Sequence, residues 1–96
     1  MAERPLNQAR GALEATLERL QRERDQLRVK LHLAEMDAKD EYERLSKRID
    51  ELRAQYEPVR DAVGDTADNV FSALGLAADE LWHGMSRIGR TIRGGD

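Results

Sequence analysis

His32 and Glu35 stand about one helical turn apart, and Asp37, Asp40, Glu41 and Glu43 follow closely. Imidazole and carboxylate on one helix face can ligate a metal, and several helices can bring such groups together, as in carboxylate-bridged di-metal bundles. Those bundles use Glu-x-x-His, whereas the order here is His-x-x-Glu, and Asp37 and Glu41 lie off the apolar seam described below. The residues favour a solvated acidic face, and neither a metal nor another cofactor is expected. His83 is not expected to take part in chemistry. Ser46, Ser72 and Ser86 sit in no recognisable nucleophile setting. Catalysis is not expected.

A second constellation lies near the C-terminus. Arg87, Arg90 and Arg93 follow Trp82 and flank Met85, Ile88 and Ile92. A cationic amphipathic end with an interfacial tryptophan suits an anionic membrane surface. The plainer reading is a solvated helix terminus whose cations favour the C-terminal end of the helix dipole. Three arginines and one tryptophan make a thin footprint for nucleic acid. The chain carries 16 Lys and Arg against 19 Asp and Glu, a net charge of −3, so no nucleic-acid partner is expected.

The elements that must carry these residues are legible in the apolar spacing. Between Leu13 and Val63 the series runs Leu13, Leu17, Leu20, Arg24, Leu27, Leu31, Ala34, Ala38, Tyr42, Leu45, Ile49, Leu52, Tyr56, Val59 and Val63. Steps of three and four put these side chains on one face of an α-helix. In heptad terms Leu17, Arg24 and Leu31 take a, with Leu13, Leu20, Leu27 and Ala34 at d. After Ala38 the register shifts by four: Tyr42, Ile49 and Tyr56 take a, and Leu45, Leu52 and Val59 take d. That stutter locally unwinds a left-handed supercoil. Arg24 is a polar interruption that restricts register or snorkels its guanidinium to water.

Residues 1–57 therefore read as one long coiled-coil helix, entered at Pro5, where a missing N–H costs nothing. From Pro5 to Glu57 such a rod would be about 80 Å long. Its seam needs a covering helix, because an isolated helix is only marginally stable in water. The flanking charges leave direction open. In a parallel pair Glu23 faces Arg28 and Lys30 faces Glu35, both attractive, but Arg48 faces Arg53. A parallel mate, an antiparallel mate and an intramolecular return all remain.

Residues 58–65 read as a kink or turn. Pro58 removes a helix hydrogen bond and biases Glu57 away from the helical region, while Asp65 or Thr66 can cap a new helix. Residues 66–92 read as a second amphipathic helix with eleven-residue periodicity. One position of that repeat holds Leu52, Val63, Leu74 and Met85; a second holds Val59, Val70, Leu81 and Ile92; a third holds Ala62, Ala73, Gly84 and Gly95. Its face is broad, which suits a bundle or a membrane surface. Residues 93–96 read as a flexible tail.

Charged residues make up 36% of the chain and aromatics only 4%, so one copy has little with which to fill a core, and oligomerisation is the expected source of stability. There is no cysteine, which excludes disulfides and thiolate metal sites. Met1 to Arg10 lacks the apolar stretch of a signal peptide, and no run approaches the roughly 20 apolar residues of a membrane span. A cytoplasmic protein is expected.

The stretch Leu27-Arg-Val-Lys-Leu-His-Leu-Ala-Glu-Met-Asp-Ala-Lys-Asp-Glu41, followed by Tyr42 and a Leu/Ile heptad, resembles a group of short bacterial proteins of unknown function. Those proteins carry an L-x-V-x-L-H-L-A-x-x-x-A-K-D-E segment and a small-residue-rich amphipathic tail. The resemblance covers about half the chain. It implies a bacterial coiled-coil protein and brings no activity or binding residues with it.

The resulting expectation is an all-α, homo-oligomeric, non-enzymatic structural or interaction protein. Its oligomer interface comprises Leu13, Leu17, Leu20, Leu27, Leu31, Ala34, Ala38, Tyr42, Leu45, Ile49 and Leu52. Val70, Leu74, Leu81, Trp82, Met85, Ile88 and Ile92, with Arg87, Arg90 and Arg93, form a second face for a helical protein partner. The alternative is peripheral membrane binding through that same C-terminal face.

Overall fold

A computed structural model of the chain describes residues 5–94, with side chains from 8 to 92. Three α-helices account for most of it: α1 (Pro5–Lys30), α2 (Met36–Tyr56) and α3 (Asp65–Gly94). Short 3-10 turns at Leu31–Leu33 and Glu57–Val59 precede the two reversals. No strand is present among the described residues. The chain runs up, down and up again in a body of 51 × 24 × 17 Å.

The single helix expected from residue 1 to residue 57 is thus two helices folded against each other. Helix α1 tightens into a 3-10 turn closed by Ala34 N–H to the Leu31 carbonyl at 3.0 Å. Ala34 (φ −86°, ψ 153°) and Glu35 (φ −74°, ψ 165°) are then extended, and α2 begins. Neither glycine nor proline lies between Gly11 and Pro58, so local propensity does not demand this break. Burial does: folding back lets the chain cover its own stripe, a gain that outweighs a few helix hydrogen bonds.

The second reversal has a local cause. Pro58 lies in the 3-10 turn, Ala62 N–H bonds the Val59 carbonyl at 3.0 Å, and Gly64 takes φ +111°. A side chain there would be strained, because left-handed φ crowds Cβ. Asp65 and Asp68 then occupy the first turn of α3, where negative charge complements the helix dipole.

Antiparallel pairing of α1 with α2 is marked by Arg24 bonding Ser46 and by the Tyr56 hydroxyl bonding Glu14. Phe71 of α3 meets Tyr56 edge-on, with ring centroids 6.0 Å apart, and the chain's single tryptophan, Trp82, meets Arg19 of α1. Helix α3 therefore runs antiparallel to α2 and parallel to α1.

The core is one continuous cluster. Leu13, Leu17, Leu20 and Leu27 come from α1; Tyr42, Leu45, Ile49, Leu52 and Tyr56 from α2. Helix α3 supplies Ala67, Phe71, Leu74, Ala78, Leu81, Met85, Ile88 and Ile92. These α3 positions recur at steps of four and three, and the eleven-residue alignment does not describe them. That alignment groups Val63, 74% exposed, with buried Leu74 and Met85, and exposed Ala62 and Ala73 with buried Gly84. The physical reason is the neighbours: two helices flank α3 along a narrow line, which selects one stripe. The helix also continues to Gly94, past the start of the expected tail; residues 95 and 96 lie outside the described residues.

Candidate functional site

The stripe residues expected to form an oligomer interface lie inside a single chain. Leu13, Leu17, Leu20, Leu27, Tyr42, Leu45, Ile49 and Leu52 are all buried by the chain's own helices. Leu31, Ala34 and Ala38 are half-buried. Of the coverings the stripe allows, intramolecular return is the one observed, so the eight buried side chains have no free surface for a second copy in this arrangement.

The expected partner or membrane face of α3 meets the same outcome. Leu74, Leu81, Met85, Ile88 and Ile92 are buried against α1 and α2, and Val70 and Trp82 are half-buried. A lipid surface would have to displace the core to reach them. Arg87 and Arg90 are exposed beside that face, while the side chain of Arg93 lies outside the described residues. The Arg19 guanidinium sits 5.3 Å from the Trp82 ring centroid, so the indole has an intramolecular cation over it.

His32 and Glu35 fall in the first reversal, both exposed. No group of three or more metal-ligating side chains comes together among the described residues. No helix is long and apolar enough to cross a membrane among them either.

Spacing alone did not reveal the polar character of the α1–α2 junction. Arg24 donates through one nitrogen to the Ser46 carbonyl at 3.1 Å, to Ser46 Oγ at 3.2 Å and to Asp50 Oδ1 at 2.8 Å. Its other terminal nitrogen bonds Gln21 Oε1 at 3.1 Å, and Gln21 Oε1 also accepts from Arg53 at 2.9 Å. The Tyr42 hydroxyl donates to the Arg24 carbonyl at 3.0 Å. Further along, the Tyr56 hydroxyl donates to the Glu14 carboxylate, and Arg10 donates to the Arg60 carbonyl at 3.0 Å. One signal was available: the lone arginine at a seam position.

Burial and the Glu14 carboxylate push the Tyr56 phenol up to about 12, against the opposing charges of Arg10 and Arg60. Burial also raises Tyr42, helped by the Asp25 charge and opposed by Arg28 and Arg24. These tyrosines are structural donors that stay neutral over the ordinary pH range.

Beside the junction lies an open groove of about 500 Å³, walled by Glu14, Glu18, Arg22, Arg53, Glu57 and Arg60 over a floor of Leu17 and Tyr56. Acids and bases balance along it, so it attracts neither sign of ligand strongly. Three exposed large apolar side chains fall at or beside the first reversal: Val29 (73% exposed), Leu33 (60%) and Met36 (69%). Two more, Val63 and Leu76, are exposed singly.

The fold and its surface thus define an all-helical, three-helix chain. Compared with protein-family models, curated proteins and solved structures, it matches none.

Proposed function

We propose that this is a non-enzymatic structural or interaction protein that self-associates through its helices. The observation that supports this reading is the state of the first reversal. The apolar stripe passes through it only half-covered at Leu31, Ala34 and Ala38, and Val29, Leu33 and Met36 stand open beside it. Apolar surface left open at this end of the bundle favours association with another helix. A second copy of the chain suits it, because the chain's own helices already pack on one another through stripes of this kind.

The test is solution mass by light scattering across a wide concentration range, on the full chain. A concentration-dependent rise from monomer to a defined oligomer is expected. Leu31→Asp with Leu33→Asp should lower that association while leaving most of the helicity, since neither position is fully buried. A strict monomer at every concentration would remove the proposal.

A further inference from the structure

We propose that the chain exchanges α1 with a second copy, the first reversal straightening so that residues 5–56 become one continuous helix in each partner. This deepens the self-association reading above and rests on it. Three observations lead to it.

The reversal contains nothing that must end a helix. Its residues, Leu31-His-Leu-Ala-Glu35, include three of the best helix-forming types. There is no left-handed residue in it, and neither Lys30 nor Glu35 makes a side-chain capping bond. By contrast, the second reversal has Pro58 and a left-handed Gly64. Only the first is free to straighten.

The apolar spacing also crosses the reversal without interruption, through Leu27, Leu31, Ala34, Ala38 and Tyr42. On a straight helix these lie on one face, and the two alanines are small enough to let two helices cross closely.

The third observation is register. Arg24 pairs with Ser46 and Glu14 with Tyr56, and the midpoint of both pairs is Glu35. Two straightened chains laid antiparallel about a two-fold axis at Glu35 therefore keep these pairings, now between copies. The contacts α1 makes with α2 and α3 are replaced by identical ones between copies, which is what makes exchange of an element a low-cost route to a dimer.

The dimer gains continuous helix through the former turn and full cover for Leu31, Ala34 and Ala38. It costs the entropy of bringing two chains together, so it forms as concentration rises.

Glu35→Pro discriminates between the forms. Glu35 has φ −74° and Ala34 is extended, so proline fits the folded-back chain but not a helix interior. It should weaken the dimer by about a hundredfold or more while keeping a helical monomer. Glu35→Ala should shift the balance the other way. The readout of shape uses the absence of cysteine: Ala15→Cys and Ala54→Cys, both exposed and 39 residues apart, carry spin labels in a chain refolded with excess unlabelled chain. Folded back, the pair lies within the bundle's 24 Å width. In a continuous helix it lies about 58 Å apart. A dimer with the long distance, lost in Glu35→Pro, establishes the exchange. A dimer with the short distance, or one unmoved by Glu35→Pro, overturns it and leaves self-association through another surface. A monomer throughout overturns both readings.

Discussion

Arg24 on α1 and Asp50 on α2 meet at 2.8 Å across the junction of the two helices, at the one seam position where α1 carries a charge. The arginine side chain is only 16% exposed, whereas the aspartate is 67% exposed. The ion pair itself is therefore largely solvated and worth about 0–1 kcal/mol. More of the stabilisation comes from the half-buried bonds to the Ser46 carbonyl and hydroxyl. Arg24→Ala should cost about 1–2 kcal/mol, whereas Asp50→Asn should cost less than about 1 kcal/mol. Arg24→Leu, which completes the apolar stripe, should hold stability within about 1 kcal/mol of wild type. Urea denaturation followed by helical circular dichroism ranks the three; an Asp50→Asn loss larger than that of Arg24→Ala would contradict this assignment.

Two glycines of α3 should respond in opposite directions to alanine. At Gly75 an added Cβ meets nothing within 4 Å, so Gly75→Ala should stabilise by about 0.5–1 kcal/mol through helix propensity alone. At Gly84 the same carbon would stand 2.8 Å from a Cδ of buried Leu45. The overpacking there should outweigh the propensity gain and leave Gly84→Ala destabilised by about 1 kcal/mol. Thermal melts of both variants check the signs.

Phe71 is fully buried and sits edge-on to Tyr56, joining α3 to α2. Phe71→Ala should cost about 3–5 kcal/mol, enough to consume much of a small domain's stability. Phe71→Leu should cost distinctly less. Equal losses in denaturant titrations would mean that the ring's shape does not matter.

Alkaline pH should loosen the bundle through Tyr56. Its folded pKa, about 12, lies above the ordinary phenol value of 10.0, so the folded state holds the proton more tightly. The sign follows: this contribution is fully present below about pH 10 and is lost as pH rises toward about 12. Tyr56→Phe removes the titration, and its stability should fall less steeply than wild type between pH 9 and 11. Parallel curves would show that Tyr56 is not the group responsible.

Trp82 reports on the membrane alternative. Because the apolar face of α3 is buried and Arg19 lies over the indole, anionic vesicles should leave the fluorescence of the folded chain unchanged. A blue shift with anionic but not neutral vesicles would show that lipid can open the bundle.

The all-helical class and the buried residues of α1 and α2 were legible in the sequence, because heptad spacing alone selects a helix face. Leu13, Leu17, Leu20 and Leu27, then Tyr42, Leu45, Ile49, Leu52 and Tyr56, are the same residues in pattern and in structure. A break at Pro58, as a kink or a turn, was legible too, since proline acts through its own backbone. The first was not. Leu31 to Glu35 carry no local instruction to turn, and whether such a stripe is covered by its own chain or by another depends on contacts between residues far apart in sequence. The same reason hid the stepping of α3, whose buried line is chosen by two neighbours, and the partners of Arg24. Local chemistry specifies helices and their greasy sides; only packing decides which sides meet.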